Sequence, residues 1–149
     1  KGIAALKSGC DIVTDTQMAK AGINKTILAS LGGEVHCFMS DPDVAQEARS
    51  RGVTRAFVSM EKAAALEKPC IFAIGNAPTA LLSLEQLMEE GKAAPALIIG
   101  VPVGFVNVEI SKERIIEKAR APYIVARGRK GGSNVAAAIC NALLYQIRR

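Results

Sequence analysis

CIFAIGNAPTALLSLEQLMEEG, residues 70–91, is the stretch whose reading decides the fold. Cys70–Ile74 is a five-residue apolar run, too short for a buried helix and right for a strand covered on both faces. Gly75-Asn76-Ala77-Pro78-Thr79 follows, a loop shaped by Gly and Pro. From Thr79 to Glu90 the spacing changes: Leu81, Leu82, Leu84, Leu87 and Met88 gather on one side, and Gly91 stops the helix. The unit is strand, tight loop, helix.

The same unit recurs on either side. Strand-like runs are expected at Asp11–Thr14, Glu34–Met39, Ala96–Val101 and Tyr123–Ala126. Helices are expected at Asp41–Arg51, where Asp-Pro-Asp caps the start with Pro42 at the first helical position, and at Ser111–Arg120 and Ser133–Ile147, each opening on a serine that can cap. Continuous apolar strands alternating with helices predict an α/β fold: a three-layer helix–sheet–helix sandwich with an open, mainly parallel sheet and right-handed connections. No repeat or linker interrupts it, so residues 1–149 are read as a single α/β domain.

Composition narrows the function classes. Half of the chain is apolar and tryptophan is absent, which suits an α/β core. The apolar stretches Ala96–Val101 and Val135–Leu144 are too short to cross a membrane, and no signal peptide opens the chain, so a cytoplasmic protein is expected. The first residue is Lys1, which points to a start inside a longer product. Cys10, Cys37, Cys70 and Cys140 form no close pair, and with a single histidine they offer no metal site; buried reduced thiols are the expectation. The net charge of +5 is spread along the chain, apart from one cluster at Arg127, Arg129 and Lys130. Scattered cations without stacking aromatics argue against nucleic acid and for an anionic small molecule.

In open α/β sheets ligands bind beyond the carboxyl ends of the strands. Four loops with unusual residues fall there: Thr14-Asp15-Thr16-Gln17-Met18, Gly75–Thr79, Gly100-Val101-Pro102-Val103-Gly104-Phe105, and Arg127–Ser133. Gly131 and Gly132 before Ser133 bare backbone N–H groups at a helix start, and Arg127, Arg129 and Lys130 add charge; together they describe an anion site. A phosphate would suit it as well as a carboxylate. Neither GxxxxGK[ST] nor GxGxxG is present, so nucleotide cofactors are disfavoured. Asp15 serves as a cap or in the site, Asp41 and Asp43 read as helix-capping groups, and His36 on a strand face reads as structural.

At these loops the sequence resembles the precorrin-8X methylmutase family. The matching stretches are Thr14–Met18, Asp41-Pro42, Gly52–Arg55, AIGNAPTAL at 73–81, GVPVGFV at 100–106 and RGRKGGS at 127–133, in order over essentially the whole chain. The resemblance implies a cofactor-free isomerase of cobalamin biosynthesis that moves a methyl group from C11 to C12 of precorrin-8X or cobalt-precorrin-8. It implies a polycarboxylate tetrapyrrole substrate and a homodimer. The substrate-binding positions it implies are Asp15, Asn24, Arg55, Asn76, Thr79, Gly104, Arg127, Gly132 and Ser133. The family's general acid is a histidine in an N-terminal segment that this chain starts after; His36 does not match it, so no catalytic residue is assigned. Ile110 also separates Glu109 from Ser111-Lys112, where the family usually has Glu directly before Ser-Lys. The alternative is a corrinoid-binding module without catalysis.

Overall fold

A computed structural model describes residues 2–66, 68–104, 107–118, 121–128 and 130–148. Arg129 of the basic cluster, Phe105 of the third loop and Arg120 at the expected helix end lie outside the described residues. In chain order the elements are α1 (Gly2–Lys7), β1 (Asp11–Thr14), α2 (Gln17–Gly22), α3 (Lys25–Ser30), β2 (Val35–His36), α4 (Pro42–Arg51), α5 (Arg55–Ala64), β3 (Cys70–Ile74), α6 (Pro78–Glu89), β4 (Leu97–Gly100), α7 (Val108–Lys118), β5 (Tyr123–Val125) and α8 (Ser133–Arg148). The five strands pair in the order β2-β1-β3-β4-β5, every pair parallel. The expected α/β sandwich is the one observed.

The apolar runs are continuous because each strand feeds two cores. Ile12, Ile71, Ala73, Leu97 and Ile99 face one way, onto Leu6 of α1, Ile27 and Leu28 of α3, and Ala136, Cys140 and Leu144 of α8. Val13, Phe72, Ile74 and Ile98 face the other, onto Ala56 and Met60 of α5, Leu81, Leu84 and Leu87 of α6, and Ile115 of α7. α4 sits further out, packing Val44 and Ala48 on Val58 of α5. Burying a side chain such as Leu81 or Ile74 contributes about 1.5–3 kcal/mol, so the two cores stabilise the sheet from both sides.

Several local expectations need correction. β2 is two residues long, not six, because it pairs only with β1, through Ile12 to Val35 and Val13 to His36. Past it the chain turns, with Asp41 N–H donating to Phe38 O, and Phe38 and Met39 pack toward the α5 side. Asp41 occupies the cap position of α4 without making a cap hydrogen bond; its carboxylate accepts from Lys62 Nζ at 2.7 Å, and Asp43 meets the same ammonium. Ser111 is not a cap either: α7 begins three residues earlier, and the buried Ser111 hydroxyl donates to Val108 O. Four helices were not foreseen. α1, α2 and α3 are six residues each, under two turns and too short for a periodicity to show. α5, capped by Thr54 through Phe57 N, does carry a helical signal, Ala56, Met60 and Ala63 falling on one buried face.

The candidate site at the carboxyl edge of the sheet

The sheet order reverses between β1 and β3, so their carboxyl ends border the crevice where such sheets place ligands. Asp15, the residue after β1, is 1 % exposed. Its carboxylate accepts from the backbone N–H groups of Gly75, Asn76 and Ala77 at 2.9, 2.9 and 2.6 Å. Burial pushes its pKa up, against the pull of those three donors. Asp15 therefore shapes the site by fixing the β3 loop.

The β5–α8 loop is built onto this scaffold by backbone contact. A Cβ on Gly75 would lie 2.7 Å from Gly132 O and 2.8 Å from Ser133 Cα, closer than any side chain allows. A Cβ on Gly131 would overlap Val101 O, and Gly132 N–H donates to that same carbonyl at 2.8 Å. Ser133 Oγ lies 2.8 Å from Thr16 Oγ1, which also accepts from Ala19 N–H and so caps α2. From below, the fully buried Lys112 donates from Nζ to Gly128 O and to Lys130 O, both at 2.8 Å; burial holds its pKa below the usual lysine range. Contacts thus lock the ends of β1, β3 and β4 to the start of α8.

Asp15, Asn76, Gly132 and Ser133 are brought together here. Asn76 is exposed, while Ser133 is half-buried. Arg127 stands at the rim, 69 % exposed, with Nε 3.5 Å from Glu113 Oε2, and Gly104 is exposed in the loop after β4. Thr79 lines a groove of about 870 Å³ that runs from the edge over α6, walled by Val53, Thr54, Phe57, Leu82 and Ile110. Arg55 is exposed at the start of α5 and lines a shallower hollow of about 430 Å³ beside Arg49 and Gly52. Asn24 stands apart. It caps α3 through Ile27 N–H, and its own N–H donates to Asn141 Oδ1. Asn141 lies eight residues into α8, about 12 Å along the axis from Ser133. Thr16 and Lys112 belong to the site's framework, Thr16 within an edge loop the sequence reading had placed there and Lys112 known to it only as part of a Ser-Lys pair in the family pattern. The 117-residue Thr16–Ser133 pairing and the burial of Lys112 show what each holds in place.

The remaining chemistry lies elsewhere. His36 Nε2 is 2.8 Å from Asp11 Oδ2, and Lys68 Nζ is 2.9 Å from Oδ1 of the same carboxylate. The ring stacks on Phe38. All four cysteines are free and buried, with burial raising Cys10 and Cys70 to about 11 and Cys140 to about 12. Among the described residues no cluster could hold a metal ion, and no helix is long and apolar enough to cross a membrane.

An all-parallel α/β sheet with glycine-shaped loops, one of them cationic, locked over its switch point defines an α/β domain of the doubly wound class. Comparison with known proteins narrows this. The profile described as CbiC, precorrin-8X methylmutase, matches residues 1–146, and the chain belongs to that family. It is 49 % identical over 142 residues to a cobalt-precorrin-8 methylmutase of Priestia megaterium, covering 95 % of this chain and 63 % of that protein. It is 49 % identical over 145 residues to the enzyme of that name from Salmonella typhimurium, covering 97 % and 67 %. The crystal structure of the precorrin-8X methylmutase of Thermus thermophilus superposes with a TM-score of 0.86 at 38 % identity, over 99 % of this chain and 71 % of that one. The chain thus spans roughly two thirds of the length of these relatives.

Proposed function

We propose that this chain is the substrate-binding body of a cobalamin-pathway isomerase, moving a methyl group from C11 to C12 of precorrin-8X or cobalt-precorrin-8. The bond from the methyl carbon to C11 breaks and one to C12 forms. No atom is gained or lost, so the reaction calls for no co-substrate. The observation that carries the reading is the β5–α8 loop pinned over the switch point, with the first amides of α8 free of intrahelical partners and Arg127 and Lys130 exposed beside them. A polycarboxylate macrocycle meets charge-assisted hydrogen bonds there, and Asn76 and Thr79 supply neutral polar groups along its edge. Relatives named as methylmutases of precorrin-8X and cobalt-precorrin-8 support the assignment. The chemistry at C11 and C12 calls for a positioned acid to protonate the ring system, a role the resemblance gives to a histidine that His36 does not match. The reading carries with it a homodimer working in the cytoplasm.

The test is a titration with hydrogenobyrinic acid, the metal-free product, followed by visible absorbance. Saturable binding with a spectral shift is expected. Its absence at high micromolar ligand would remove the reading.

A further inference from the structure

We propose that Lys112 is a positioning residue for anion recognition: it draws the loop carbonyls of Gly128 and Lys130 inward and so turns loop amide toward the ligand's carboxylates. The inference rests on the function just proposed. Lys112 heads the largest fully buried side chains of the chain, and its ammonium is spent on two backbone carbonyls of the one loop that carries Arg127 and Lys130. In a trans peptide the C=O and the following N–H point in opposite directions. With Lys130 O aimed at Lys112, the N–H of Gly131 is aimed away from it. Left unheld, those two carbonyls would be free to present partial negative charge where carboxylates bind. Burying an ammonium is costly unless its hydrogen bonds are made, and a methionine would fill the same space without that cost. The positive charge also lies beneath the anion loop, where low polarisability lengthens its reach.

The experiment compares the titration with hydrogenobyrinic acid across folded variants. Lys112→Met is expected to bind at least tenfold more weakly than the unaltered chain. Lys112→Arg, which keeps charge and donors, is expected to recover most of that loss. Ile115→Val, a core truncation on the same helix, is expected to bind within twofold despite a lower melting temperature, so stability alone does not move the readout. If Lys112→Met yields no folded protein, Lys112→Gln takes its place with the same tenfold expectation. Binding within twofold by the folded Met or Gln variant overturns the inference, as does an equal loss in Ile115→Val. Failure of the unaltered chain to bind removes the proposed function and this inference with it, whereas normal binding alongside a silent Lys112 variant removes this inference alone.

Discussion

Arg55 and Asp11 show how differently two charged residues are used. Arg55 opens α5, exposed, and is free to reach a ligand carboxylate. If it does, Arg55→Ala weakens hydrogenobyrinic acid binding by roughly 1.5–3 kcal/mol, the worth of a hydrogen bond to a charged group. Arg55→Lys recovers only part, because a bidentate fork becomes a single point of charge. Unchanged affinity in both variants would place Arg55 outside the site. Asp11 is committed to structure. Burial would raise its pKa, but hydrogen bonds from His36, Lys68 and Glu34 N–H outweigh that and leave it below the usual carboxylate value. A group depressed in the folded state contributes stability above its unfolded pKa, about 3.9, and that contribution is lost as pH falls through the folded value. Chemical denaturation should therefore show stability declining below about pH 4, with a shallower decline in Asp11→Asn. An identical slope in the two proteins would show that Asp11 is not among the groups responsible.

At the scale of elements, legibility followed length and burial. β1 and β3 begin and end where the apolar runs do, since both lie inside the sheet and are covered on two faces. β2 could not be read, because an edge strand is bounded by where its neighbour stops pairing, and Phe38 and Met39 look equally strand-like. Three of the four loops at the carboxyl edge were visible through their glycines, and the last of them through its cations as well. What joins them was not: Asp15 reaches across 62 residues to Ala77, and Lys112 lies 16 residues from Gly128. Asn24, placed at the site by resemblance, turned out to cap α3 against α8. The close packing of the β5–α8 loop on β4 makes a sharp expectation. Gly131→Ala drives a methyl group into the Val101 carbonyl, backbone against loop, and must displace the loop. It should cost at least tenfold in hydrogenobyrinic acid affinity and lower the melting temperature. Gly91→Ala, at a positive φ with open space around it, should cost only about 1 kcal/mol of stability and leave binding alone. Equal affinities in both variants would mean that the loop does not position the ligand.

For the whole molecule, binding and turnover separate. The 149-residue chain is expected to bind the macrocycle and move no methyl group above background. Its single histidine is held by Asp11 on the β2 side of the sheet, and loss of a general acid costs a factor of about 10² to 10⁴. If the acid is the N-terminal histidine that the family resemblance implies, supplying a family member's segment that carries it should restore turnover, and His36→Ala should leave that rate unchanged. An active chain that His36→Ala silences would make His36 the acid and reverse its structural reading. One further property follows from the thiols. Cys10 and Cys70 lie at the sheet and Cys140 inside α8, all covered and all protonated far above neutral pH. Because only an exposed thiolate attacks, each sulfur is chemically silent until its part of the fold opens. Alkylation of Cys10, Cys70 and Cys140 at neutral pH, each site read separately from Cys37, therefore clocks the opening of the two layers, sheet and terminal helix, from inside the unaltered protein, with no probe introduced.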